Sequence, residues 1–211
     1  MPAAPNPETP SEVEIIERTT PFQGYFRVDR YHLRHRKFDG GWTEAMTREV
    51  FERGHAAALL LYDPARDAVV LIEQFRAGAH AAGLQPWLIE AVAGIIEPGE
   101  SAEAVVRRES VEESGCAVAE LIPIGTYLMT PGGSSETIAF FCGRVDSRGA
   151  GGIHGLDHEH EDIRVLVLAL DEALAQLAAG RIVNANVVIP LQWLALNRDR
   201  VRAQWSGEDS G

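Results

Sequence analysis

Positive charge is scarce in this sequence. Its 211 residues carry 19 Lys and Arg against 31 Asp and Glu, a formal net charge of −12. That balance argues against nucleic acid as the main partner, because binding a phosphate backbone needs a basic footprint. It also raises a difficulty for any phosphorylated substrate, which bound metal cations would remove. Cysteine is equally sparse, with Cys116 and Cys142 at no paired spacing. There is therefore no disulfide framework and no zinc signature, and the usage suits a reducing compartment. No apolar run approaches the length of a membrane span. The opening "MPAAPNPETPSEVEIIERTT" lacks the basic start and apolar core of a secretion signal. The expectation is a soluble, cytoplasmic protein without nucleic-acid or membrane partners, beginning with a flexible tail over residues 1–20.

What is present points to an α/β chain. Apolar residues make up 45% and charged residues 24%, ordinary for a globular protein. The length suits one sizeable α/β domain with at most a small appendage. Residues 21–55 read as that appendage, a β domain whose polar strands turn at "FDGG" (38–41). Strands this polar bury little alone and need another packing surface. From residue 56 the character changes. "AAALLLYD" and "AVVLIEQF" read as buried strands joined by "DPARD", and "PWLIEAVAG" as another strand. Ser101 is a good N-cap for a helix that Gly115 closes. "TIAFFCGRV" and "IRVLVLAL" read as further strands, "DEALAQLAAG" and "VVIPLQWLALNRDRV" as helices. Pro190 is tolerable only near the first turn of the last one. Strands mixed with a few helices suggest a sheet covered on both faces, over residues 56–211.

The stretch "RRESVEESG" (107–115) is the most informative. At about 100° per residue, with Ala102 at zero, Val105 falls near −60°, Val106 near +40°, Glu109 near −20° and Glu113 near +20°. Two glutamates thus share the apolar stripe, against the usual amphipathic layout. Glu112 lies at its edge, one turn from Arg108, and Arg107 faces away. Like charges at i, i+4 cost about 0.2–0.5 kcal/mol even when exposed, and more when desolvated. A divalent cation with oxygen ligands would reverse that sign. The plainer alternative is a helix whose last turn emerges into solvent, with ion pairs from Arg107 and Arg108.

The surrounding "GIIEPGESAEAVVRRESVEESGC" (94–116) resembles the signature of the Nudix hydrolases. Gly94, Glu100, Arg108, Glu109, Glu112, Glu113 and Gly115 stand at the family's distances, with Ser110 where an aliphatic residue is usual. The resemblance implies an α/β/α sandwich with a mixed sheet and hydrolysis of a diphosphate linked to another group. It also implies Mg²⁺ (or Mn²⁺) on Glu109, Glu113 and the Ala93 carbonyl, with Glu112 close by.

"FRAG" (75–78), "TPGGSSE" (130–136), "GIHGLDHEHEDIRV" (152–165), "FERGHAA" and "NANVVIPLQWLAL" are similar to the bacterial ADP-ribose pyrophosphatases within that family. That likeness implies that ADP-ribose is split into AMP and ribose 5-phosphate by a homodimer that exchanges its N-terminal strands. It makes Glu159 the general base and Glu161 a further metal ligand. It carries over Arg76 for phosphate, Ser134, Glu136 and Ile95 as substrate contacts, and Arg48 with Tyr25 or Phe26 for adenine. The blander readings are an acidic loop for 157–162, a turn for 130–136, and surface ion pairs for the arginines. His154, His158 and His160 invite a zinc reading but read better as exposed loop histidines. Rival functions are a Nudix hydrolase of another nucleotide sugar, such as GDP-mannose, and a non-catalytic nucleotide-sensing module.

Overall fold

The computed structural model describes residues 9–156, 158 and 160–206. The chain divides into two compact units, Met1–Gly54 with Leu128–Glu136, and His55–Tyr127 with Thr137–Gly211.

In the first unit β1 (Val13–Gln23), β2 (Arg27–His35) and β3 (Met46–Glu52) form an antiparallel sheet in that order. The turn expected at "FDGG" is there, with Gly40 and Gly41 at φ 87° and 74°, the left-handed region that favours glycine. The tail expected over residues 1–20 is corrected, because strand begins at Val13. Cross-strand pairing accounts for this. Arg34 reaches Glu14 at 2.7 Å, and the buried Asp29 carboxylate accepts from Arg18 (2.5 Å), Thr20 (2.7 Å) and Arg27 (3.1 Å). A short polar tract pairs when its partner strand supplies the opposite charges, a term that composition alone does not display. No residue of β1 is buried. Residues 130–136 fasten onto the end of β3: the Phe51 N–H donates to the Gly133 carbonyl (2.8 Å), and the Ser134 hydroxyl to the Phe51 carbonyl (3.0 Å).

The second unit holds β4 (Ala56–Asp63), β5 (Ala68–Phe75), a short α1 (Ala77–Ala81), β6 (Trp87–Glu90), β7 (Val92–Ile95) and α2 (Ala102–Ser114). These are followed by β8 (Glu120–Leu128), β9 (Thr137–Arg144), β10 (Gly152–His154), β11 (Ile163–Ala169), α3 (Leu170–Ala178) and α4 (Ala185–Ser206). The sheet order is β10-β11-β5-β4-β9-β8, with β6 on β5 and β7 on β4. It is mixed, since β4 runs parallel to β9 and antiparallel to β5 and β7. Period-two alternation sends Leu60, Tyr62, Val69 and Leu71 to one core, with Leu170, Val187, Leu191 and Leu194 of the last two helices. Leu59, Leu61, Val70 and Ile72 go to the other, with Val105 and Val106 of α2. Helices therefore cover both faces, the α/β/α sandwich that the resemblance implied.

Helix α4 starts earlier than the apolar pattern suggested. Asn184 draws it back: its side-chain oxygen accepts from Asn186 N–H (2.9 Å) and its carbonyl from Val187 (3.1 Å) and Val188 (3.0 Å). Pro190 consequently lies inside the helix, past the first turn in which it was expected. Among the described residues, no helix is long and apolar enough to cross a membrane.

Helix α2 is closed at both ends as its sequence demands. Ser101 Oγ accepts from Ala104 N–H (3.1 Å), and Gly115, at φ 68°, donates to the Val111 carbonyl (3.0 Å). Ser110 is fully buried, and its hydroxyl donates to the Cys116 carbonyl (2.7 Å). The departure from an aliphatic residue there is a polar latch on the helix end. Ser110→Ala should leave that carbonyl unsatisfied and cost about 1–3 kcal/mol of unfolding free energy in urea titration. Unchanged stability would mean that the latch is idle.

Candidate active site

The local chain path explains how α2 delivers its acids. Strand β7 pairs with β4 through Ala93 and Ala58. The Ala93 N–H turns away from that ladder and donates to Glu113 Oε2 at 3.0 Å. In a strand one residue's N–H and C=O leave by the same edge, so the Ala93 carbonyl also faces α2. Beside it Gly94 has no Cβ, and one placed there would overlap the Glu109 side chain. Helix and strand meet this closely only because that residue is glycine.

Glu113 is 3% exposed, and its pKa is pushed up to about 8. Burial is the largest cause. The Ala93 N–H and the charge of Arg76 act against it, while Glu109 and Glu161 add repulsion. Glu109 is also raised, again chiefly by burial, with Arg108 opposing. Arg108 supplies the local counter-charge, reaching Glu109 at 2.8 Å, Glu112 at 2.9 Å and Glu100 at 3.3 Å. Arg107 turns outward to the Val118 carbonyl (2.9 Å). Both glutamates of the wheel thus lie inward, and the ion pairs of the plainer reading are also present, through Arg108. Glu161 lies near the same group, close enough for its charge to raise Glu109, Glu113 and Arg76. Its carboxylate accepts from Leu156 N–H (3.1 Å), folding the loop after Gly155 onto itself. Gly155 (φ 101°) donates to the Glu112 carbonyl (3.4 Å), which anchors that loop to the helix. Among the described residues, no three His, Cys, Asp or Glu side chains already converge on one point. Glu159, expected as the base, lies outside the described residues.

Arg76 forks onto Glu90, with Nε at 3.1 Å from each oxygen and Nη2 at 2.8 Å from Oε2. Burial works against its charge, but Glu90 and the fields of Glu113 and Glu161 more than offset this, so its pKa lies above the ordinary value. Glu90, fully buried, also accepts from Gln74 (3.3 Å) and Asn184 (2.5 Å). Sequence reasoning missed Glu90. The one available signal was an acid inside the apolar "PWLIEAVAG", where a charge needs a partner.

The remaining candidates are spread out. Ile95 continues β7, opposite Ala56. In the first unit, Ser134 already has its hydroxyl engaged, donating to Phe51 and accepting from Glu136 N–H (3.2 Å). Glu136 is 8% exposed and paired with Arg53 at 3.2 Å. Arg53 was not anticipated; its guanidinium also lies 5.7 Å from the Phe26 ring centre. Arg48 is exposed and donates to the Thr47 carbonyl (2.8 Å). Tyr25 is 86% exposed and meets Phe26 edge-on at 4.7 Å.

The family model for the NUDIX domain matches residues 52–188. An ADP-ribose pyrophosphatase of Escherichia coli is 48% identical over 196 residues, covering 93% of this chain and 94% of that one. A GDP-mannose pyrophosphatase of Pectobacterium atrosepticum is 33% identical, covering 86% and 93%. A crystal structure of an ADP compounds hydrolase superposes with a TM-score of 0.68 at 19% identity, covering 89% of this chain and 96% of that one.

The Glu90 cluster yields a prediction. Glu90→Ala should lower unfolding free energy by about 2–3 kcal/mol in urea titration, because the buried Gln74 amide and the half-buried Asn184 amide lose their acceptor. Arg76, with its side chain 42% exposed, recovers part of its loss by hydration. A cost under about 0.5 kcal/mol would show that the cluster is not a support.

Proposed function

This chain belongs to the Nudix family, and from that premise we propose that it hydrolyses the pyrophosphate of ADP-ribose to AMP and ribose 5-phosphate. The observation that carries the chemistry is Glu113, a buried carboxylate with one backbone donor, facing Glu109 and Glu161. Support for the substrate is the 48% identity, over nearly the whole chain, to a relative named for ADP-ribose. The relative named for GDP-mannose, at 33%, keeps that sugar nucleotide as the second reading.

The donor set fits a hard divalent cation, being all oxygen and too repulsive to stay charged together without one. Glu109, Glu113, Glu161 and the Ala93 carbonyl would hold Mg²⁺, or Mn²⁺, with Glu112 beside them. Bound there, such ions would neutralise the diphosphate and lower the pKa of a water. Glu159 takes the proton from the attacking water as its oxygen adds to one phosphorus and the bond to the bridging oxygen breaks. Arg76 is held by Glu90 through Nε and Nη2, and its Nη1, without a partner among the described residues, would meet a phosphate oxygen. Ile95, Ser134 and Glu136 are carried over from the resemblance as substrate contacts. Tyr25 and Arg48 hold adenine across a homodimer joined through the N-terminal strands. Support for that dimer is the run of exposed apolar residues on β1, namely Val13, Ile15, Ile16 and Phe22.

Product analysis on a panel of ADP-ribose, other ADP-sugars and GDP-mannose, with and without Mg²⁺, tests the reading. AMP should form from ADP-ribose only with metal, and at far higher kcat/KM than product from the others. GDP-mannose turned over as well or better would replace the substrate, and binding without product would replace the enzyme with a sensor. Glu159→Gln should lower kcat by about tenfold to a hundredfold with little change in binding. A near wild-type rate would remove Glu159 from its role.

A further inference from the structure

At the opposite end of β4 from Ala58, the strand finishes at Asp63 beside Arg144, the last residue of the parallel β9. By strand rise this lies about 16 Å along β4 from the acidic cluster. Together with residues 64–66, 119, 145, 146 and 148 it frames a cavity of about 470 Å³. The charged side chains in its wall are Asp63, Arg66, Arg144, Asp146 and Arg148. None belongs to the site described above. Three arginines around one cavity stand out in a chain of net charge −12.

The acids in that wall are already satisfied. Asp63 is 3% exposed and accepts four hydrogen bonds, from the Ala65 (3.0 Å), Arg66 (3.2 Å) and Ser147 (2.9 Å) N–H groups and the Ser147 hydroxyl (2.7 Å). Asp146 is gripped by Arg148, with Nε 2.9 Å from both oxygens and Nη2 2.5 Å from one. That guanidinium and its backbone N–H drive the Asp146 pKa down to about 2, so the carboxylate stays ionised and paired. The donors are in surplus. Arg66, also in the wall, makes one side-chain hydrogen bond among the described residues, from Nη1 to the Ser147 hydroxyl (3.0 Å). Arg144 uses Nη2 on Glu120 (2.6 Å) and Nη1 on the Trp205 carbonyl (3.5 Å), while its buried Nε has no acceptor among the described residues. A buried donor of a charged group left unsatisfied is costly, so this guanidinium is under-satisfied beside the cavity.

Surplus guanidinium donors, filled carboxylates and room for more than a bare ion describe a receptor for an oxyanion carrying an organic group. We propose that this cavity binds a small phosphomonoester, with Arg66, Arg144 and Arg148 as its phosphate contacts. It is a second site, independent of which nucleotide sugar the acidic cluster serves.

Calorimetric titration of the full chain with ribose 5-phosphate in EDTA tests it, since chelation leaves the acidic cluster repelling anions. A saturable heat is expected, suppressed by excess inorganic phosphate and absent with ribose. The double variant Arg66→Gln/Arg148→Gln should weaken binding by at least about tenfold, the effect of losing a charge-assisted hydrogen bond, while Arg76→Gln leaves it unchanged. Arg144→Gln should weaken it too. Because Arg144 also ties Glu120 and α4, the exposed pair decides the matter if that variant misfolds. No saturable heat, heat that persists in the double variant, or heat lost in Arg76→Gln would each overturn the proposal.

Discussion

A single backbone amide organises the catalytic half of this molecule. The Ala93 N–H leaves the β7 edge and holds the Glu113 carboxyl group, so helix and sheet are joined by a buried polar contact as well as by the packing of Val105 and Val106. The joint draws α2 close enough that Gly94 has to lack a side chain. It commits Glu113 to a place where ionisation is disfavoured, and the neighbouring acids make that worse. The arginines around the site follow from this arrangement. Arg108 compensates one side of the cluster from within the helix, and Arg76 the other from the end of β5, each held by further carboxylates. A structure that tolerates this much repulsion at one point is arranged around a cationic visitor.

Much of the arrangement is legible in the residues. The wheel over 102–113 placed Glu109 and Glu113 among the valines because helical geometry is rigid and needs no tertiary information. Ser101 and Gly115 marked the helix ends for equally local reasons. The two-faced alternation of β4 and β5 could not be read, because both faces are apolar and a run such as "AAALLLYD" shows no period. The start of β1 and the first turn of α4 escaped because both depend on partners: Arg34 and Asp29 for the strand, Asn184 for the helix. Glu90 escaped for the same reason, as its three donors come from β5, the residue after it and the loop before α4. Sequence reading succeeds where a residue's role is set by its neighbours in the chain and fails where it is set by contacts across the fold.

Arginine does different work at the two ends of the central strands. Near Ala93 it tempers an excess of carboxylate, while near Asp63 it lines a cavity whose carboxylates are already bonded. The parallel run of β4 and β9 produces both ends at once, because two strands pointing the same way present like termini together.

The uneven burial of the strands bears on the timescales of motion. Every residue of β4 is buried and no residue of β1 is. Local opening free energies follow such contrasts, with well-packed central strands near the global limit and exposed edges near zero. In the single chain, amide protons of β1 should exchange with solvent deuterons long before those of β4. The acids assigned to the chemistry are attached to the slow-exchanging sheet, whereas Tyr25 and Arg48 ride on the fast-exchanging one. In the function proposed above, recognition by such a compliant element would tolerate variation in the ligand more readily than the rigid frame would tolerate any shift of a phosphorus atom.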